Sequence, residues 1–334
     1  MRGLKSFVKR ALVKTGSLEL AARFRVPRAA ILMYHSVRAD PKLGADWIGP
    51  GITHSTRVFA HQMELVGRRF SPVTLDHILL FLIAQKQLPR RAVAITFDDG
   101  YLDNLEEAAT VLNRLGIPAA FYLTTGLIGQ ADAPWFCRVR HAFMKTKRNE
   151  WPSSGHQRNW ELVAPASRDA ALSAAYDLCS RLTKKDQQQA VYAIELELGV
   201  EPVLPESRLM MNWDEIRTLR RSGHIVGSHT LTHPNTAHVS QEDALRAEIF
   251  ESKRQLESYL REPVVHFSYP HPALRPQWNA KTLAMTREAG YATAVTTNPG
   301  PIRAHSNPLL LTRINAGSTE DEFLWNLERT FAET

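Results

Sequence analysis

Ala92-Val93-Ala94-Ile95-Thr96-Phe97-Asp98-Asp99-Gly100-Tyr101 sets the reading of this 334-residue chain. A six-residue apolar run leads into a turn, the pattern of a parallel strand buried on both faces. Two adjacent carboxylates stand where that strand ends, and Gly100 lets the chain turn away at once. Neighbouring residues of an extended chain point to opposite sides. One Asp is then expected to face a metal and the other to be angled toward a water beside it. Two close carboxylates resist ionising together, and a cation next to them relieves the repulsion. Taken alone, Asp98-Asp99-Gly100 is equally a tight turn, because Asp-Gly is a frequent turn dipeptide.

Working outward, Leu102 to Leu115 has a helical pattern that Gly116 ends, and Pro118 to Thr124 reads as the next strand. That is a βαβ unit with a right-handed crossover. Upstream, Ala29 to Tyr34 reads as a buried strand leading into His35-Ser36-Val37. Thr56–Arg69, capped by Ser55 or Thr56, and Leu75–Ala84 read as helices. Downstream, residues 130 to 210 interrupt the rhythm with Trp135, Trp151 and Trp160, a polar loop, and helical stretches near 168–182 and 185–198. This is an insertion over one end of a barrel. Its tryptophans suit core packing better than stacking on a ligand.

The alternation then resumes. Trp213 to Ser222 is a helix stopped by Gly223, and His224 to Gly227 is a short strand. Ser240-Gln241-Glu242-Asp243 resembles a capping box opening a long helix. Val264–Tyr269, Ala292–Thr297 and Leu309–Ile314 supply further strands, with helices near 276–289 and 319–332. The expected fold class is α/β: a distorted (β/α) barrel of about seven parallel strands with a helical insertion. Residues 1–28 form a basic amphipathic N-terminal segment, and 29–334 form the barrel with its insertion at about 130–210.

The second chemical motif is Ser228-His229-Thr230-Leu231-Thr232-His233-Pro234. Its two imidazoles are four apart, but Gly227-Ser228 before them and Pro234 after them suggest a loop or a single turn rather than a helix face. One Asp with two His makes a facial ligand set for a divalent metal, leaving positions for water and substrate. The spare Asp is a candidate base for that water. In a barrel, both motifs fall at strand ends, where functional loops gather.

Composition narrows the class. The chain is 44% hydrophobic and 22% charged, with net charge +7 and a pI near 9.5. A basic surface is the plain reading, and no basic-aromatic motif points to nucleic acid. Cys137 and Cys179 lack CxxC partners, which excludes a zinc ribbon or redox motif and favours two free buried thiols. No apolar run is long enough to span a bilayer, and the N-terminus lacks a secretory apolar core. The expected location is cytoplasmic, with peripheral contact at the inner membrane face as an extension. Residues 1–25 carry Arg2, Lys5, Lys9, Arg10 and Lys14 between Leu4, Phe7, Val8, Ala11, Leu12 and Leu18. Two placements are open: a helix packed on the domain, or one lying on an anionic membrane surface. Oligomeric state is not legible.

The chain resembles the polysaccharide deacetylase family, the NodB-homology enzymes of carbohydrate esterase family four. The matching pieces are Thr96 to Tyr101, His229 to His233 with Pro234-Asn235, Phe267-Ser268-Tyr269-Pro270, and Leu311-Thr312-Arg313-Ile314. Leu32-Met33-Tyr34-His35-Ser36-Val37 resembles the start of a subgroup with a circularly shifted barrel. The resemblance implies removal of the acetyl group from an N-acetylated sugar in a polysaccharide, an oligosaccharide or a lipid-linked intermediate. It implies that Asp99, His229 and His233 hold one divalent metal, zinc first, with cobalt, nickel or iron also suited. It makes Asp98 the general base and, through the shifted subgroup, His35 the acid, ahead of His305. Tyr269, Tyr101, the backbone N–H of His271 and Arg313 fall at substrate or oxyanion positions. Ser268 stands where the family often has a base-orienting Arg; Arg313 takes over that role or forms a structural ion pair. Pro272 replaces a usual Gly and stiffens the His271 loop.

Two other classes stand against this reading. One is a catalytically weak or inactive sugar-binding barrel, which retention of Asp98 disfavours. The other is a deacylase of a different amide, such as a formamide. A phosphotransfer enzyme lacks the phosphate-cradling Gly-rich loop.

Overall fold

Strand β2 (Ala92–Phe97) is buried along its whole length, as its apolar run requires. The computed structural model describes residues 28–156, 158–270 and 275–332. β2 pairs in parallel with β1 (Ala29–Tyr34), in register from Ala29 opposite Ala92 to Tyr34 opposite Phe97. On its other side lies β3 (Ala119–Leu123). The sheet continues through β4 (Ile225–Ser228), β5 (His266–Ser268) and β6 (Thr293–Val295), while β7 (Ile314–Asn315) pairs with β1. All of these pairings are parallel, and the seven strands run in the order β6-β5-β4-β3-β2-β1-β7, with Ser71–Pro72 paired to β2 off this path.

The two ends of that sheet approach through one segment. Leu311 makes a parallel bridge to Val295 of β6, and three residues later Ile314 pairs with Leu32 of β1. The continuous strand expected over Leu309–Ile314 is therefore broken: a 3₁₀ turn at Pro308–Leu310, a single bridge, then a two-residue strand. The chain changes neighbours between 311 and 314, so no single ladder can hold it. This is the distortion in the distorted barrel.

Side chains alternate between two layers, as the period of a strand demands. Leu32, Tyr34, Val93, Ile95, Phe97 and Phe121 join the large outer core under the helices. Ala29, Ile31, Ala92, Ala94, Ala120 and Tyr122 form a second cluster facing the other way. The alanines of this inner face leave room for polar groups farther along β2, where Thr96 and Asp98 continue the parity of Ala92 and Ala94.

Helices α1 (Thr56–Arg69), α2 (Leu75–Leu82), α3 (Thr110–Leu115), α7 (Trp213–Arg221), α8 (Glu242–Leu260), α9 (Ala280–Glu288) and α10 (Glu320–Ala332) surround the sheet. Ser55 caps α1 by accepting from Val58 N, and Gly116, at φ 64°, ends α3. The capping box read at Ser240 does not form. The cap position is Gln241 with no side-chain bond, and the acidic pair Glu242-Asp243 supplies the favourable charge in the first turn instead.

The insertion contains α4 (Trp135–Lys145), α5 (Pro165–Ser180) and α6 (Lys184–Leu198), with an antiparallel hairpin of Glu150–Ser153 and Arg158–Glu161. It has its own apolar cluster, including Phe143, Trp151, Ala171, Cys179 and Ile194. Both cysteines are free and buried. No helix among the described residues is long and apolar enough to cross a membrane. The amphipathic pattern of residues 1–25 lies outside the described residues.

Candidate active site

Asp98 continues β2 by one backbone bond, its N–H donating to Tyr34 O at 3.1 Å. Asp99 then has φ 75° and Gly100 φ 92°. The extended geometry expected across the Asp pair thus ends one residue early. A left-handed Asp is uncommon and costs conformational energy, which the surrounding contacts must offset. The turn swings Asp99 toward the loop after β4.

That loop is held on several sides. His229 N–H donates to Leu123 O at 2.9 Å, extending the β3–β4 pairing. Thr230 and His233 are both left-handed, at φ 67° and 62°, so the four-residue spacing is a tight loop and not a helical face. Buried Glu248 of α8 accepts from the N–H groups of Leu231 and Thr232, at 2.9 and 2.7 Å, and from Thr232 Oγ1 at 2.7 Å. Burial pushes the Glu248 carboxyl up, and those bonds pull the other way. Trp135 Nε1 donates to Thr232 O at 3.1 Å. Gly126 N–H donates to Leu231 O at 2.8 Å, and a Cβ at 126 would lie 2.5 Å from that oxygen.

The result brings three groups together. Asp99 Oδ1 is 3.5 Å from His229 Nε2 and 3.3 Å from His233 Nε2, and one ligand atom from each residue lies within 4.8 Å of the others. All three side chains are buried. His229 Nδ1 lies 2.8 Å from Ser268 O, which accepts its proton and leaves Nε2 as a lone pair facing Asp99. Asp99 Oδ1 and His233 Nδ1 are buried without hydrogen-bond partners among the described residues. A carboxylate oxygen and two imidazole lone pairs converging in a buried space fit a divalent cation. Despite burial, which pushes it up, the neighbouring histidines hold the Asp99 carboxyl well below the usual carboxylate range.

Asp98 has a different partner. Arg313 Nη1 and Nη2 donate to its two oxygens at 2.7 and 2.6 Å. The other guanidinium hydrogens go to Thr296 O at 2.9 Å, Thr96 Oγ1 at 3.3 Å and Ser268 Oγ at 3.1 Å. All five N–H groups are used, on partners from β2, from β5 and from the residue after β6. Arg313 therefore holds Asp98 from inside the barrel and is not among the residues that line the cavity. Burial pushes the Asp98 carboxyl up, but Arg313 and then His229 outweigh it and the carboxyl sits below its ordinary value.

Asp98, Asp99, His229 and His233 line one cavity of about 290 Å³ with His35 and Tyr101. His35 directly follows β1, and its carbonyl accepts from Asn104 Nδ2 at 2.5 Å. Asp103 takes the next residues: Ser36 Oγ donates to it at 2.6 Å, Val37 N at 3.2 Å and Arg38 Nε at 3.1 Å. Asp103 and Asn104 begin a π-helical turn, Asn104–Ala109, a local geometry common beside functional sites. The Tyr101 ring is buried, with its hydroxyl 3.7 Å from Cys137 Sγ.

Other sequence readings come out differently. The Tyr269 side chain points into the helix layer: its hydroxyl donates to Thr286 Oγ1 at 3.2 Å and its ring packs on Phe267. The parity of β5 explains this, because Ser268 faces the interior and its neighbour must face out. His271 and Pro272 lie outside the described residues. The three insertion tryptophans do not line the cavity; Trp151 and Trp160 pack in the insertion and Trp135 braces the His loop. What sequence reasoning missed is the rest of the wall: Trp47 and Ile48 from the polar loop, and Phe136, Cys137, Arg140, Leu172 and Tyr176 from the insertion. Nothing in their local pattern marks them, since the contacts are made by packing one segment over another.

The family model for polysaccharide deacetylase matches residues 85–294. The chain belongs to the polysaccharide deacetylase family. YxkH of Bacillus subtilis (strain 168), a protein named for the same family, is 31% identical over 99 residues. That match covers 30% of this chain and spans only a third of the relative's length (33%). Among solved structures, the Streptococcus pyogenes deacetylase PplD in complex with acetate superposes with a TM-score of 0.60 at 18% identity, covering 92% of this chain and 99% of that one. IcaB from Ammonifex degensii gives 0.59 at 18%, covering 93% and 99%. At that identity these two likenesses establish the deacetylase fold.

Proposed function

We propose that this member of the family is a metal-dependent N-deacetylase acting on an N-acetylated sugar. The observation that carries the reading is the convergence of Asp99 Oδ1 with Nε2 of His229 and His233, beside an Asp98 clamped by Arg313. Asp99, His229 and His233 would hold one divalent ion, with zinc, cobalt, nickel and iron all suited to two imidazoles and a carboxylate. When bound, such an ion polarises an amide carbonyl and makes an adjacent water more acidic.

The chain's own residues do the rest. Asp98 is kept ionised by Arg313, and each of its oxygens retains acceptor capacity beyond the guanidinium bonds. It takes a proton from the attacking water. His35, on the same cavity wall, gives a proton to the departing sugar amine. Asp103 and Asn104 fix the backbone that carries His35, so the acid is placed by a rigid strand end. The apolar residues of the wall, Trp47, Ile48 and Phe136 among them, exclude bulk water and strengthen the interactions inside. The proposal extends to residues 1–25, whose basic and apolar pattern suits contact with an anionic membrane surface.

The test is acetate release from N-acetylglucosamine oligomers and from a lipid-linked N-acetyl sugar, before and after chelation and metal replacement. Release that chelation abolishes and added metal restores supports the reading. Absence of release from every N-acetylated sugar, with metal bound, would overturn it in favour of another acyl group or a binding role.

A further inference from the structure

Resting on the deacetylase reading, we infer that Arg140 forms an anion subsite in the cavity wall, so that the sugar substrate carries a phosphate or carboxylate group near its acetamido group. Outside the two motifs and His35, Arg140 is the one charged side chain among the described residues that line the cavity. The rest of that wall is apolar or neutral, including Trp47, Ile48, Phe136, Leu172 and Tyr176. A neutral polysaccharide needs no cation in such a place, and Arg140 is half-buried there.

The side chain is held, yet its binding end is free. Arg140 reaches from α4 across to the loop after β1, where Nε donates to Ala45 O at 2.9 Å. Its guanidinium lies flat against Gly49: a Cβ there would be 3.4 Å from both Cζ and Nη1 and 3.5 Å from Nε. The loop is itself pinned to α4, because the Trp47 ring stacks on His141 at 3.9 Å with 12° between planes. Asp46 is occupied by Lys145 at 2.9 Å and faces His141 at 3.7 Å. No ion pair or further hydrogen bond engages the Arg140 terminal nitrogens among the described residues. Nη1 and Nη2 thus keep unspent donors on a residue of the cavity wall, and a guanidinium fork matches phosphate and carboxylate oxygens.

A purely structural Arg140 would need only the Nε bond that ties the insertion to the loop. The fixed plane with its outer edge unspent is what a ligand contact requires. The two sources of negative charge, a sugar phosphate and a uronic carboxylate, present the same oxygens to that edge.

The experiment compares acetate release from N-acetylglucosamine, N-acetylglucosamine 1-phosphate and N-acetylglucosaminuronic acid, for the native chain, Arg140→Gln and Arg140→Lys. Calorimetric binding of the same three sugars to the metal-stripped protein is measured alongside. The native chain is expected to favour an anionic sugar by roughly 10- to 100-fold in KM, the usual worth of a charged hydrogen-bonded contact. Arg140→Gln is expected to erase that ratio, and Arg140→Lys to keep part of it. Preference for the phosphate alone or the uronate alone names the source. Equal handling of neutral and anionic sugars by the native chain would overturn the inference, as would a preference that survives Arg140→Gln. Absence of acetate from all three while anion-selective binding persists would count against the deacetylase reading and leave the subsite standing. Both native comparisons are independent of whether the variants fold.

Discussion

Arg313 and Asp98 are 215 residues apart in sequence and joined by two parallel hydrogen bonds of 2.7 and 2.6 Å in the barrel interior. Arg313 stands just before β7 and Asp98 just after β2, so the pair spans β1, the one strand between them. Removing the cation would leave a buried carboxylate uncompensated, a loss of about 3–5 kcal/mol. Arg313→Met is expected to lower the melting temperature and abolish acetate release. Arg313→Lys keeps the charge but not the fork. It is expected to fold with intermediate stability and to lose roughly 100-fold in kcat, the scale that follows misplacement of a reacting group. Thermal melting and steady-state kinetics on the same preparations check both.

Glu248 should act on the His229–His233 loop without being one of the three converging ligands. Its carboxylate accepts from Leu231, Thr232 and the Thr232 hydroxyl. Glu248→Ala leaves buried donors unsatisfied and is expected to cost about 1–3 kcal/mol, with weaker binding of added zinc. Glu248→Gln can accept both backbone bonds and turn its amide to the hydroxyl, so it should restore most of each. Calorimetric zinc titration together with melting separates the two variants.

His224 predicts an acid-sensitive fold. Its Nδ1 accepts from Ala119 N at 3.3 Å, its Nε2 is buried without a partner among the described residues, and its ring sits edge-on to Phe121. Burial pushes its pKa down from 6.5 to about 4. A depressed folded-state pKa means that its contribution is complete above about 6.5 and is lost as pH falls toward 4. About 2 kcal/mol of stability should disappear over that window, after allowance for solvent screening. His224→Asn keeps an acceptor for Ala119 and should flatten this part of the profile. Urea unfolding at a series of pH values reads the difference.

Asp103 and Asn104 should matter to turnover more than to substrate affinity. They bond to the backbone of His35 and Val37 and are not among the residues that line the cavity of Asp98 and His35. Asn104→Ala and Asp103→Ala are expected to reduce kcat by about 10- to 100-fold with KM little changed, as loss of a positioned acid would. A purely structural role would lower the melting temperature without that split between kcat and KM.

How far the chain could be read without its structure follows from where each signal resides. The bounds of β1, β2 and α1 are local facts: an apolar run or helical spacing closed by an end signal, and the structure matches them residue for residue. The Asp98-Asp99 and His229-His233 motifs were legible because strand ends in a barrel collect at one face. The backbone between them was not, because left-handed Asp99, Thr230 and His233 are held by tertiary bonds that no local preference announces. Helix α4 was missed because residues 130–160 look like an irregular polar segment with scattered tryptophans. Its apolar side becomes a face only once α5 and α6 pack on it. Tyr269 was misplaced because motif position was followed where strand parity decides. Arg140 had no signal at all, since its meaning depends on a loop some 90 residues earlier.

The most direct test of the central claim is to measure bound zinc and acetate release together in the native chain and in Asp98→Asn. The account predicts one zinc per chain in both, because Asp98 is not among the converging ligands. It predicts release by the native chain and a fall of roughly 100- to 10,000-fold in the variant, the usual worth of a general base. Undiminished release by zinc-loaded Asp98→Asn would contradict the assignment of the base and, with it, the proposed reaction at this site.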